Sequence, residues 1–204
     1  MVNPDLAGGA LLDLGIYSLT WVYQILYHLQ PEAKEPAVVQ TSVIRHPETG
    51  VDEQTSILVH FPNNRSTGVA TTALRVASDP DGEGSAGPAI RIQGTKGEIA
   101  VKHPAYRPSG YKVIRKGGGV ESFDCVVPKD PARGDWGMGM FWEADECARC
   151  LRDGKLESEG MPLGESIEMM RVMEEVWRGG KVVYPDVITT NKYDPESPHN
   201  VRKA

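Results

Sequence analysis

Asp13 and Tyr17 stand four residues apart in the run Leu11-Leu12-Asp13-Leu14-Gly15-Ile16-Tyr17. On a helix that spacing places both side chains on neighbouring turns of one face. A carboxylate beside a phenol can orient, protonate or deprotonate an oxygen of a small hydroxylated molecule. A tyrosine hydroxyl ordinarily titrates near pH 10, so unaided it exchanges protons reluctantly at neutrality. A nearby cation lowers that value, whereas a carboxylate one turn away raises it while orienting the hydroxyl. Thr20 and Gln24 continue the same polar line, and Thr20 is a candidate for contact with substrate. Arg75, on an alternating strand-like segment, is a second substrate-contact candidate, with a solvated or ion-paired arginine as the alternative. Asp13 and Tyr17 have structural alternatives as well. A carboxylate near a helix start interacts favourably with the helix dipole, and a buried tyrosine needs only one hydrogen-bond partner.

The element carrying this pair spans residues 9–29, without an internal proline and apolar on most sides, and Pro31 ends it. After it come seven short strand-like segments: Val38–Arg45, Gln54–Phe61, Gly68–Val76, Ala89–Gln93, Glu98–Lys102, Tyr111–Arg115 and Glu121–Val127. Turn residues such as Pro62-Asn63-Asn64, Gly94-Thr95-Lys96-Gly97 and Gly117-Gly118-Gly119 separate most of them. Consecutive strands joined by short turns predict an open, largely antiparallel sheet. Asp79 to Pro88 reads as a loop. Two helices follow. Phe141–Arg152 should face the core through Phe141, Ala144, Ala148 and Leu151, and Pro162–Arg178 through Leu163, Ile167, Met170 and Val176. A short strand is expected over Lys181–Tyr184. The prediction is a single α+β domain over 1–186, helices packed on one face of the sheet, and a polar tail over 187–204.

Hydrophobic residues make up 40% and charged residues 25% of the 204, proportions that support one sizeable core in an aqueous protein. A net charge of −6 with both signs interleaved excludes the basic stripe of a nucleic-acid binder and the basic run that docks on anionic lipid. The first residues show no secretory pattern. Asp13, Ser18, Thr20 and Gln24 interrupt the apolar stretch from Ala10 to Leu29 and argue against a membrane span. The three cysteines suggest no disulfide framework. Cys147-Ala-Arg-Cys150 lies within a helical pattern without further metal-ligand spacing, so it is read as helix packing in a reducing, cytoplasmic compartment. His46, His60 and His103 share no ligand spacing and receive no role. No Gly-x-Gly-x-x-Gly follows a strand, no phosphate-loop motif occurs, and no βαβ alternation is present.

Asn3-Pro4-Asp5-Leu6-Ala7-Gly8-Gly9-Ala10-Leu11-Leu12-Asp13-Leu14-Gly15-Ile16-Tyr17 resembles a signature of the Gfo/Idh/MocA family of oxidoreductases. It is most similar to the branch of dimeric dihydrodiol dehydrogenases and NADP-dependent D-xylose dehydrogenases. Ile92-Gln93-Gly94-Thr95-Lys96-Gly97-Glu98-Ile99 and the segments around Phe141–Glu146, Gly154–Ser158 and Met161–Leu163 extend the resemblance. It implies a C-terminal substrate domain whose sheet commonly pairs between subunits. In family members a Rossmann domain holds NAD(P), and a catalytic lysine sits in a Glu-Lys-Pro motif. Neither the nucleotide fingerprint nor Glu-Lys-Pro occurs here. The family's second catalytic group, a His or Tyr four residues after an Asp, falls on Tyr17 with Asp13. Without the lysine, Tyr17 suits donation of a hydrogen bond or proton, and Asp13 becomes the base.

Three functions are compatible with these features. The first is redox-independent acid–base chemistry on an oxygenated small molecule (isomerisation, elimination or cyclisation) with Tyr17 and Asp13 catalytic and no cofactor. The second is the C-terminal part of an NADP-dependent sugar or trans-dihydrodiol dehydrogenase, with NADP held by a Rossmann domain. The third is a non-catalytic module that pairs or binds through its sheet. The sequence favours the first, narrowly, and a homodimer in every case.

Overall fold

The computed structural model describes residues 1–31, 34–134 and 139–197. The architecture is α+β: among the described residues seven antiparallel strands form two hydrogen-bonded sheets, with the main helices against one face of the first. The first sheet runs β1 (Val38–Arg45), β2 (Asp52–Phe61), β3 (Ser66–Ala73) in chain order. The second runs β4 (Ile90–Gly94), β5 (Gly97–Val101), β6 (Gly110–Arg115), β7 (Val120–Asp124). The seven strands expected between Val38 and Val127 are present, the largest end differences being Ala73 for Val76 and Asp124 for Val127.

Alternation explains which face is covered. On β2, Thr55, Ile57, Val59 and Phe61 are buried, while Gln54, Ser56 and Leu58 are half-buried and His60 is exposed. The covering helices are α1 (Ile16–Leu26), which lies chiefly on β3, and α3 (Leu163–Gly179), which lies on β1. Leu19, Val22 and Tyr23 of α1 meet Met169, Val172, Met173 and Val176 of α3 and the inner β2 residues in one core. Gly68 on β3 sets the approach of α1, because a Cβ there would lie 2.4 Å from Val22 Cγ1.

Several expectations are corrected. The helix expected over 9–29 is a π-wound turn, Leu11–Gly15, followed by α1. No strand forms over Lys181–Tyr184. Lys181 takes a left-handed φ of 54° and Val182 N–H returns 2.9 Å to the Trp177 carbonyl. The segment therefore folds back against α3, burying Val182 and Tyr184. The expected polar tail opens inside a one-turn helix, α4 (Asp186–Thr189), and its residues 198–204 lie outside the described residues. On α2 (Phe141–Arg152), Ala144, Ala148 and Leu151 are exposed and Phe141 is half-buried. On α3, Leu163, Ile167 and Met170 face outward, and Val176 alone of the expected stripe is in the core. Both helices have the periodicity of a packed face, but that pattern does not say whether a partner is present. Cys150 is buried, whereas Cys147 is exposed, so only one of the pair serves packing.

Candidate active site

The site is built from the N-terminus inward. The Asn3 side chain accepts from Asp5 N–H at 2.9 Å and caps a short 3₁₀ turn over Pro4–Leu6. Gly8 and Gly9 N–H groups then return to the Asn3 and Met1 carbonyls. Gly9 has a φ of 141°, and a Cβ there would fall 2.1 Å from Asp52 Oδ1, so the position admits only glycine. Leu11 N–H donates to Asp52 Oδ2 at 2.6 Å, and the Thr72 hydroxyl donates to the Ala10 carbonyl at 3.3 Å. The first turn is thus gripped on its donor side by β2 and on its acceptor side by β3.

That turn carries Asp13, which is exposed, and leads directly into Tyr17 on the first turn of α1. Tyr17 is 45% exposed. Its ring lies 5.5 Å from that of Tyr106 at 48°. Tyr106 arrives on the loop between β5 and β6, after a cis His103–Pro104 peptide, and Trp21 Nε1–H holds that loop by donating to the Ala105 carbonyl at 2.9 Å. Beside the helix start opens a cleft of about 830 Å³, walled by Leu14, Val76, Asp79, Lys102, His103 and Lys112 among others. It lies beneath the loop between β3 and β4.

The other two sequence candidates sit differently. Thr20 donates its hydroxyl proton to the Ile16 carbonyl at 2.7 Å, leaving only lone pairs for an external group. Arg75 is 76% exposed in its side chain and lies 3.5 Å from Glu53 Oε2. No hydrogen bond or ion pair among the described residues joins it to Asp13, Tyr17 or Thr20. Sequence reasoning missed Tyr106 and Asp52. The signals available were an aromatic residue bracketed by Pro104 and Pro108, and an acidic Asp52-Glu53 pair at the mouth of an otherwise apolar strand.

Helix starts are where a dinucleotide's phosphates ordinarily bind, because free N–H groups and the helix dipole converge there. Two starts here already hold carboxylates: Leu11 N–H meets Asp52, and Leu163 N–H meets Glu157 Oε2 at 2.6 Å. A phosphate would displace or face a negative charge at either. Those residues do not fit a dinucleotide cradle. Among the described residues no cluster of three or more His, Cys, Asp or Glu side chains is arranged to hold a metal ion, and no helix is long and apolar enough to cross a membrane.

The GFO/IDH/MocA C-terminal domain model matches residues 1–100, the region containing the anchored turn, α1 and the first sheet. The chain belongs to the GFO/IDH/MocA family. It is 56% identical over 200 residues to a D-xylose 1-dehydrogenase (NADP(+)) of Hypocrea jecorina, covering 98% of this chain and 51% of that protein. It is 33% identical over 185 residues to a trans-1,2-dihydrobenzene-1,2-diol dehydrogenase of Homo sapiens, covering 90% of this chain and 50% of that one. A Xenopus tropicalis protein of the same name is 30% identical over 184 residues, again 90% and 50%. This family member therefore spans about half the length of these relatives.

These similarities overturn the expectation of redox-independent isomerase, lyase or cyclase chemistry. The relatives are named as dehydrogenases, one at 56% identity over nearly the whole chain. The features behind that expectation, Asp13 four residues before Tyr17 and no nucleotide fingerprint in the sequence, are equally compatible with one half of a dehydrogenase.

Proposed function

We propose that this chain is the substrate-binding part of an NADP-dependent dehydrogenase that oxidises a hydroxyl group of an aldose or a trans-dihydrodiol. One observation carries the reading: Asp13 and Tyr17 are exposed on a helix start anchored to two strands, and Leu14 of the same turn lines a cleft of about 830 Å³. NADP, held by a further part of the whole protein, supplies the hydride acceptor. Tyr17 hydrogen-bonds to the reacting oxygen and relays its proton as the carbonyl forms. Asp13 accepts substrate hydroxyls and takes that proton onward. The Tyr106 ring shields one side of the Tyr17 ring from water. Thr20 offers lone pairs to a substrate hydroxyl, and Arg75 borders the cleft's covering loop.

Residues 1–186 act as one domain in this scheme. Two copies pair through the outer face of the first sheet, where Val38, Ile44 and Val69 are exposed between polar neighbours, and sedimentation showing a stable monomer would remove that pairing. Free thiols at Cys125, Cys147 and Cys150 suit a reducing cytoplasm.

The test is NADPH formation by the full-length protein with NADP⁺ and either D-xylose or a trans-dihydrodiol. Tyr17→Phe should lower kcat/KM by about 10²-fold or more, the usual worth of a positioned proton-transfer group. Unchanged turnover in Tyr17→Phe would remove Tyr17 from the reaction.

A further inference from the structure

Asp52 is fully buried at the start of β2, and the proton path just described does not use it. Its two carboxylate oxygens face different elements. Oδ2 accepts from Leu11 N–H at 2.6 Å and lies 3.5 Å from the Thr55 hydroxyl, while Oδ1 accepts from the Tyr184 hydroxyl at 3.3 Å. One side chain thereby ties β2 to the helix start 41 residues before it and to the segment 132 residues after it. A buried charge is retained only where such bonds satisfy it.

We propose that Asp52 is a positioning residue for the reaction: its carboxylate fixes where the π-wound turn begins and so aims Asp13 and Tyr17. The proposal rests on the dehydrogenase reading for its consequence, though not for its geometry. A helix advances about 100° per residue, so a start displaced by one residue would swing Asp13 to another face. Leu11–Gly15 is wound with an extra residue per turn, a winding uncommon except where something holds it. Here the holders are identifiable. Asp52 fixes the Leu11 amide, Thr72 fixes the Ala10 carbonyl, and Gly9 leaves room for the carboxylate to approach. The negative charge at the first free amide also complements the helix dipole. Burial pushes the Asp52 carboxyl above its ordinary range, and the hydrogen bonds from the Leu11 and Ala10 amides and from Tyr184 oppose that push.

The test uses the full-length protein carrying Asp52→Asn, Tyr184→Phe or Thr72→Val, with Asp52→Asn/Tyr17→Phe as the double variant. Amide hydrogen exchange is followed by mass spectrometry, and turnover by NADPH formation from NADP⁺ and D-xylose. Asp52→Asn should speed exchange of the 11–17 amides about ten-fold or more while β2 and α3 keep their protection. Its kcat should fall by up to about 10²-fold with the NADP⁺ KM little changed, the scale of a misplaced catalytic group. The double variant should be no slower than Tyr17→Phe alone, since both changes disable one unit. Tyr184→Phe, which keeps the Leu11 bond, should loosen 11–17 less. Should Asp52→Asn not fold, Thr72→Val, which releases the other side of the same turn, must show the selective loosening. Exchange that rises uniformly across β1, β2 and α3, or does not rise at 11–17, overturns the proposal, as do losses that multiply in the double variant. If the wild-type protein leaves D-xylose unoxidised, the dehydrogenase reading on that sugar fails while the exchange measurement still decides the role of Asp52.

Discussion

The three-stranded and four-stranded sheets are made of the same antiparallel hairpins, yet they differ in what they bury. On β2, alternate residues from Thr55 to Phe61 disappear under α1 and α3, and Gly68 on β3 lets Val22 sit directly on the backbone. On β7 every residue from Val120 to Asp124 is exposed. The second sheet coheres through cross-strand pairs instead: Ile92 with Ile99, Ile99 with Val113, and Tyr111 stacked on Phe123 at 4.9 Å. The candidate site draws on the two unequally. Its helix start is clamped by the buried sheet through Asp52 and Thr72, whereas the exposed sheet contributes the Tyr106 loop and much of the cleft wall. Side chains that do chemistry need a fixed frame, and here the covered sheet is that frame.

The largest effect should come from opening the covered sheet. Phe61→Ala removes a fully buried ring between Tyr23 and Tyr27 and should cost about 3–5 kcal/mol in denaturant unfolding. A loss under about 1 kcal/mol would mean that the two sheets are equally tolerant, and the contrast would fail. Gly68→Ala comes next. Its methyl would collide with Val22, pushing α1 off β3 at a cost of about 1–3 kcal/mol, with turnover falling as well because Tyr17 rides on α1. Phe123→Ala on the exposed sheet should cost only about 0.5–1.5 kcal/mol, the worth of one aromatic pair.

The smallest expected effect is on pH dependence. Burial raises the Asp52 carboxyl in the folded protein, so the folded state binds its proton more readily than the unfolded chain does. This contribution is fully present below the unfolded value near 3.8 and is lost as pH rises through the folded value. Wild type should therefore gain slightly on Asp52→Asn as pH falls through that interval, measured by paired urea titrations. Tyr184, held well above its ordinary range first by burial and then by Asp52, keeps its proton throughout. A wild-type protein that instead loses ground to the variant on acidification would reverse the sign and contradict a desolvated Asp52.

Much of the fold was legible because its signals are local. Period-two alternation and turn residues marked all seven strands, and the polar line of Asp13 and Tyr17 stood out against an apolar helix. Residues whose role depends on distant neighbours were not legible. Tyr106 looks like any loop tyrosine until Trp21 holds its loop beside Tyr17. Spacing could not show that the Thr20 hydroxyl proton turns to the Ile16 carbonyl, which leaves only its lone pairs for an external group. Leu163, Ile167 and Met170 read as a core stripe but are exposed, because periodicity describes a face and not what lies against it.

By itself the sequence determined the α+β class, the order of hairpins and helices, and the four-residue spacing of Asp13 and Tyr17 on which the proposed site rests, all of which follow from spacing along the chain. Only the tertiary structure decided that the helix start is π-wound and is held by Asp52 and Thr72 from two different strands. It also decided that one sheet is covered while the other stands open. Those outcomes depend on contacts between residues 41 to 132 positions apart. No local pattern encodes them, because each contact exists only once the chain has closed around a common core.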